Sequence, residues 1–276
     1  MSEAPKLKAA CVQLNTGMDP REGVARTSEW VRRAAAEGAE LVATPENSSF
    51  LVDGKRDLLA RAEPEENNSQ LAAFRALAVE LNIHLLIGSI AVRVSQDRCA
   101  NRSFLIAPDG EVIASYDKMH MFDVNLGGAQ NYRESNQHRP GTKPVLAETP
   151  WGLMGLTICY DLRFPYLYRH LAQRGADMLS VPSAFTKGTG KAHWHVLLRA
   201  RAIETGAFVL APAQTGTHEC GRKTYGHSLI VGPWGEVLAD GGTAPGIILA
   251  DLDFASVAEA RRRLPALQHD RELAEQ

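Results

Sequence analysis

The order of apolar runs along the chain predicts an α/β protein built on a mixed β-sheet. Three observations carry this. Short apolar runs of strand length alternate with segments of helical period. Hairpin signals, in which two β-rich runs flank a Pro/Gly turn, occur in each half. The strand–helix theme of the first half returns in the second, which hints at an internal pseudo-repeat with weak self-similarity.

Taken in order, residues 7–14 read as a strand and 20–37 as a helix ended by Gly38. The run Leu41-Val42-Ala43-Thr44 is the next strand, closed by Pro45. Residues 69–81 read as a helix with Ser69 as its N-cap. Residues 83–90 are a buried strand. Residues 103–107 and 111–116 form a hairpin around Pro108-Asp109-Gly110. In the second half, 153–158 is a strand, 166–174 a helix, 178–181 a strand, 192–204 a helix and 207–213 a strand. A second hairpin joins 228–231 to 236–239 around Gly232-Pro233-Trp234-Gly235, and 247–251 is the last strand. Strands separated by helices, with hairpins added, make the sheet mixed rather than wholly parallel.

The 276 residues carry a formal net charge of −2, with 45% hydrophobic and 22% charged residues, as in ordinary globular proteins. No Pro/Gly/Ser-rich linker or charge run divides the chain, so one domain over residues 1–276 is expected, with a C-terminal arm over about 262–276. Clustered basic residues are confined to Arg261-Arg262-Arg263, which a solvated helix face explains, so nucleic acid is not an expected partner. No apolar stretch reaches the roughly 18 to 20 residues of a membrane span, and the first residues lack a signal-type apolar region; a cytoplasmic location is expected. Cys11, Cys99, Cys159 and Cys220 are widely spread and form no CxxC pair, which argues against disulfides and a zinc site.

Several motifs begin and fail. Gly188-Thr189-Gly190-Lys191 suggests a phosphate loop, but Phe185 stands where its first glycine belongs and Ala192 where Ser/Thr should follow. His218-Glu219 opens like a zinc-protease motif, but Arg222 occupies the second histidine position. Gly226-His227-Ser228 opens like a hydrolase elbow, but Ile230 replaces the closing glycine. His193 and His195 point to different faces of a helix, so they do not share a metal. No GxGxxG follows a strand, and no metal or organic cofactor is expected.

Cys159 ends the run Gly155-Leu156-Thr157-Ile158-Cys159 and is followed by Tyr160-Asp161-Leu162-Arg163-Phe164-Pro165. A thiol on a strand-to-helix turn sits next to backbone N–H groups that can hold an oxyanion. A buried cysteine acting as a small hydrophobe is the alternative. Three charged residues stand in company with it. Glu46 follows a strand directly, Lys118 lies just past a hairpin strand in Tyr116-Asp117-Lys118-Met119-His120, and Glu134 lies in the loop Tyr132-Arg133-Glu134-Ser135. Each could be an ordinary surface charge. Together with Cys159 they supply a base, an ammonium and a thiol, which is what thiolate attack on an amide requires. Burial can raise a glutamate into the range of a useful base.

These segments resemble the nitrilase superfamily of carbon–nitrogen hydrolases. Its Glu–Lys–Cys triad matches Glu46, Lys118 and Cys159 in order and local context. Pro182-Ser183-Ala184-Phe185-Thr186, the stretch from Ala192-His193-Trp194 to Arg201-Ala202-Ile203-Glu204, Tyr225-Gly226-His227-Ser228 and Pro233-Trp234-Gly235 extend the resemblance to about His269. Within the superfamily the chain is most similar to the branch of deaminated glutathione amidases. True nitrilases carry Trp-Glu after the cysteine, where this chain has Tyr160-Asp161, and the ω-amidase branch tends to glycine at Ser183. The tail Asp270-Arg271-Glu272-Leu273 departs from the family's usual ending.

The resemblance implies a four-layer αββα sandwich and a homodimer or larger homo-oligomer. It implies attack by Cys159 on the carbon of a small amide, with Glu46 as base and Lys118 plus the Tyr160 N–H on the oxyanion. A thioester is then hydrolysed, and Glu134 helps position the substrate and Lys118. Ser183, Phe185 and Thr186 are expected near the substrate. A small carboxylated amide is the expected substrate, deaminated glutathione first. Its carboxylate needs a cationic or N–H partner, and Arg163, Lys187, His193 and Arg222 are candidates. An ω-amidase acting on α-ketoglutaramate, an N-carbamoyl hydrolase, and an inactive scaffold for partner binding are the alternatives.

Overall fold

A computed structural model describes residues 4–127 and 131–272. The first strand shows how the sequence sorts itself. In β1 (Lys6–Gln13), Leu7, Ala9 and Cys11 face one apolar cluster, together with Met154, Leu156 and Met178. Ala10 and Val12 face another, together with Val31, Ala34, Phe74 and Leu77. The period of two puts one face against helices and the other against a second sheet.

The helices start where local chemistry allows. Asp19 caps α1 (Pro20–Ala36), its Oδ1 accepting from the N–H groups of Arg21 and Glu22 at 2.8 and 3.0 Å, with Pro20 at the first helical position. The cap of α3 (Ser69–Leu81) is Asn68, not Ser69 as the sequence suggested. Asn68 Oδ1 accepts from Leu71 N–H at 2.9 Å, while the Ser69 hydroxyl donates to Glu63 Oε2 at 2.7 Å. Both residues are good caps; Glu63 decides between them by engaging Ser69.

Two six-stranded sheets form the centre. The first has the order β16-β1-β2-β3-β4-β5, with β2 (Leu41–Ala43), β3 (His84–Arg93), β4 (Cys99–Ile106), β5 (Val112–Asp117) and β16 (Gly246–Asp253). The second has the order β15-β14-β11-β10-β9-β8, with β8 (Val145–Thr149), β9 (Gly152–Leu156), β10 (Ala176–Ser180), β11 (Phe208–Ala211), β14 (Leu229–Val231) and β15 (Val237–Asp240). In each, three parallel strands are flanked by one antiparallel strand on one side and two on the other. The crossovers correspond too. Helices α1 and α3 connect the parallel strands of the first sheet; α4 (Pro165–Gln173) and α5 (Lys187–Thr205) connect those of the second. The pseudo-repeat suggested by the sequence is therefore present in the topology. Helices α4 and α5 place Leu167, Leu171, Trp194, Leu198 and Ala202 in the same cluster that fills the space between the sheets. The layers run α–β–β–α.

Short or partly exposed elements carry no clear signal in the sequence. These are α2 (Lys55–Arg61), the β6–β7 ribbon (Asp123–Asn125 with Asn131–Arg133), β8, the β12–β13 ribbon (Thr215–Thr217 with Lys223–Tyr225) and α6 (Ala255–Arg263). Helix α5 begins at Lys187, five positions before the expected start at Ala192. Gly188 and Gly190 weaken the helical signal there, yet a Cβ on Gly190 would stand 2.3 Å from Tyr225 Cβ, so close packing explains that glycine. Beyond α6 the tail docks on α4: Gln173 donates to Leu267 O at 3.1 Å, and Arg169 pairs with Asp270. Leu273 and the rest of the expected arm lie outside the described residues. Among the described residues no helix is long and apolar enough to cross a membrane.

One glycine ties the two sheets to the turns at their ends. A Cβ on Gly88 of β3 would lie 2.0 Å from Thr44 O, 2.4 Å from Pro182 Cβ and 2.6 Å from the carbonyl carbon of Pro45. The turns after β2 and β10 thus close over this position. Gly88→Ala is expected to destabilise the protein by about 1–3 kcal/mol or more, because the obstacles are backbone and ring atoms that cannot rotate away. Denaturant unfolding of the variant checks this.

Candidate active site

The C-terminal ends of the parallel strands converge, the usual place for a site in such sheets. Strand β2 stops before Pro45, and Asn47 takes a left-handed conformation, φ 60°. The Ser48 hydroxyl donates to Pro45 O at 2.6 Å and closes the turn around Glu46. Cys159, just past β9, also has positive φ, 50°. Its N–H donates to Pro182 O at 2.9 Å, and residues Cys159–Arg163 form one 3₁₀ turn. A bulky residue holds such a conformation only when its surroundings impose it, and strain of this kind concentrates at functional positions. Here Asp161 does the imposing. Its buried carboxylate accepts from Ile158 N–H (2.9 Å), Tyr116 Oη (2.7 Å), His120 N–H (3.0 Å) and His120 Nδ1 (2.6 Å).

Lys118 follows β5. Its N–H donates to Asn101 O at 3.0 Å and its carbonyl accepts from Gly141 N–H at 2.8 Å. The side chain is 2% exposed, beside Glu46 at 3% and Cys159 at 6%. Lys118 Nζ donates to Glu46 Oε1 at 2.9 Å and to both oxygens of Glu134, at 3.1 and 2.8 Å. Asn101 Nδ2 bridges the same two carboxylates, at 2.9 Å from Glu46 Oε1 and 3.2 Å from Glu134 Oε1. Ala184 N–H donates to Glu46 Oε2 at 2.9 Å, and Phe122 N–H to Glu134 Oε2 at 2.7 Å. The Cys159 thiol donates a hydrogen bond to the Glu46 carboxylate. Five residues, Glu46, Asn101, Lys118, Glu134 and Cys159, 113 positions apart in the chain at their extremes, thus form one hydrogen-bonded set.

The charges favour an ionised Glu134 and a protonated thiol. Burial opposes the Lys118 ammonium, but Glu134 and Glu46 outweigh it and hold the group above an ordinary lysine. Burial likewise opposes the Glu134 carboxylate, and Lys118 outweighs it, so Glu134 lies well below the usual carboxylate range. Burial pushes the Cys159 thiol far up, Glu46 adds to this, and Lys118 only partly offsets it. The thiol is therefore protonated near neutral pH, and a nucleophile in that state would need a base.

These groups line a cleft of about 550 Å³, ample for a small molecule. Tyr160, Phe185 and Thr186 also line it. Ser183 does not: it is fully buried behind the cleft, its hydroxyl donating to Val181 O at 3.0 Å. Arg163 and His193 lie outside the cleft as well, 3.2 Å apart (Nη1 to Nδ1), with the Arg163 guanidinium over the Phe185 ring at 5.3 Å. Lys187 is exposed at the start of α5. Of the four cations nominated for a substrate carboxylate, Arg222 lines the cleft. Its Nη2 donates to Ala184 O at 3.0 Å, while its buried Nε has no hydrogen-bond partner.

Sequence reasoning missed Asn101, His138, Phe122 and Tyr132. Asn101 shares β4 with the polar Arg102 and Ser103, so its polarity did not single it out. Burial holds His138 below an ordinary histidine; its Nδ1 has no hydrogen-bond partner and lies 4.0 Å from Glu134 Oε1. Nothing local in the sequence marks it.

Comparison with known proteins agrees with this geometry. The sequence model of the carbon-nitrogen hydrolase family matches residues 8–262. A deaminated glutathione amidase of Synechocystis is 40% identical over 270 residues, 95% of this chain and 97% of that protein. The deaminated glutathione amidase of Mus musculus is 42% identical over 271 residues, covering 96% and 83%. The crystal structure of the C. elegans NitFhit protein superposes with a TM-score of 0.90 at 35% identity, over 98% of this chain and 66% of that one. The chain belongs to the carbon-nitrogen hydrolase family, and it is an amide-hydrolysing enzyme.

Proposed function

We propose that the enzyme releases ammonia from a small carboxylated amide, deaminated glutathione first, through a thioester on Cys159. The single observation that carries the reading is the hydrogen-bonded set of Glu46, Lys118 and Cys159 on one cleft wall. Cys159 Sγ attacks the amide carbon as Glu46 takes the thiol proton. The oxyanion that forms is stabilised by Lys118 and the Tyr160 N–H. Lys118 spends two N–H bonds on Glu134, so one can turn to the oxyanion without exposing Glu46. As the C–N bond breaks, the proton passes from Glu46 to the leaving ammonia. Water then attacks the thioester, giving its proton to Glu46, and the thiol is regenerated with the carboxylic acid product. Glu134 and Asn101 act as positioning residues that hold Lys118 and Glu46.

Arg222 supports the choice of a carboxylated substrate. A guanidinium lining the cleft suits a carboxylate, and a hydrogen bond to a charged group contributes about 1.5–3 kcal/mol. Arg222→Met is therefore expected to raise KM for deaminated glutathione about 10- to 100-fold, with a smaller change in kcat. Ammonia release is measured side by side on deaminated glutathione, α-ketoglutaramate and glutamine. The reading holds if deaminated glutathione gives the highest kcat/KM and Arg222→Met removes that preference. Faster turnover of α-ketoglutaramate selects an ω-amidase instead.

Two copies pairing through α4–α6 is part of the proposal, supported by the exposed Tyr166, Val196, Ile203, Trp234 and Leu264 on that side. Four unpaired cysteines suit a reducing, cytoplasmic setting.

A further inference from the structure

We propose that His195, His227 and Asp240 form a binding site for a divalent transition ion of the zinc class, separate from the catalytic cleft. The three come from different elements. His195 lies on α5, His227 in the loop between β13 and β14, and Asp240 ends β15. Their ligand atoms all lie within 4.8 Å of one another. Asp240 Oδ2 is 3.1 Å from His195 Nε2 and 3.2 Å from His227 Nδ1. A tetrahedral ion with ligands at about 2.0–2.1 Å needs ligand pairs about 3.3 Å apart, so two of the three edges already have the right length. Two imidazoles and a carboxylate are the donor set that zinc and its neighbours favour.

The ligands are held in place from outside. His227 has φ 55°, a conformation uncommon for a residue other than glycine. Its N–H donates to Gly242 O at 2.6 Å, and its carbonyl accepts from Trp194 Nε1 at 2.7 Å. Its ring stacks on Tyr225 with centroids 4.6 Å apart. Asp240 Oδ1 accepts from Gly242 N–H at 2.9 Å, which fixes the carboxylate plane. Support of this kind orients first ligands in metal sites. The three side chains are 34%, 23% and 34% exposed for His195, His227 and Asp240, which leaves an entry path and room for water as further ligands. None of the three lines the cleft. A bound ion would clamp α5 to the β14–β15 hairpin and stabilise the folded state by mass action.

The test uses the full chain after chelator treatment. Co²⁺ is added and followed by its visible absorption, Zn²⁺ by equilibrium dialysis with elemental analysis and by thermal unfolding. One saturable ion per chain is expected, with a rise in Tm and without the intense thiolate-to-cobalt band that binding at Cys159 or Cys220 would give. His195→Ala and Asp240→Asn should each weaken binding about tenfold or more. Both residues are partly exposed, so the metal-free variants should unfold at the parent temperature and release ammonia at the parent rate. Absence of saturable binding at micromolar ion overturns the proposal. So does binding that survives both substitutions, or that disappears in Cys159→Ala.

Discussion

Cys159→Ala is expected to cut ammonia release from every amide substrate by at least about a thousandfold while leaving the fold intact. Both halves rest on the same local structure. The thiol is the group that would form the acyl bond, and it is the one that donates a hydrogen bond to Glu46. Cys220 also lines the cleft, but stands outside the hydrogen-bonded set of Glu46, Lys118 and Glu134. The backbone at 159 has φ 50°, and alanine meets the same Cβ strain there as cysteine does. The structural bonds of the turn belong to the Cys159 N–H and to Asp161, neither of which the substitution touches. Loss of activity with an unchanged unfolding midpoint is the expected pair of results. Retained turnover would remove Cys159 from the mechanism.

Lys118→Met is expected to damage both stability and activity. Methionine keeps much of the volume, so the effect is one of charge. Removing the ammonium leaves Glu46 and Glu134 buried and facing each other without a cation. One partner lost from a buried ion set costs about 3–5 kcal/mol, and loss of an oxyanion contact costs about 10²- to 10³-fold in kcat. The pH dependence follows from Glu134. In the parent its carboxyl lies below the usual range, so its contribution is present above the unfolded-state value and is lost as pH falls through the folded one. In the variant the like-charge pair raises the folded value, so stability is lost near neutral pH and recovers in acid. The stability gap between the two proteins should therefore be widest near pH 7 and narrow toward about pH 5. Adding Glu134→Gln to Lys118→Met should restore stability but not turnover. Restored turnover in the double variant would make Lys118 structural only.

The parts of this molecule that could be read from sequence are those whose signal is local. Strand β1 announces itself by alternation and α1 by Asp19-Pro20, because both patterns repeat within a few residues. Glu46, Lys118 and Cys159 were visible because each follows a strand signal at once. Asn101 and His138 were not, because their importance comes from Glu46 and Glu134, which approach only when β4 and two loops are assembled. Arg222 could be nominated but not ranked against Arg163, Lys187 and His193, since the cleft wall is a property of the assembled fold. The His195 and His227 pairing escaped for the same reason: two residues apart on a helix, His193 and His195 compete for attention, while the real neighbour is 32 positions away.

The central claim is a covalent acyl group on Cys159. The most direct measurement is the intact mass of the protein quenched during turnover of deaminated glutathione, followed by peptide mapping. The account predicts an adduct of substrate mass less ammonia on the peptide containing Cys159, lost on hydroxylamine treatment and absent in Cys159→Ala. Rapid turnover with the adduct on Cys220, or on no residue under conditions where acylation outpaces hydrolysis, would contradict it.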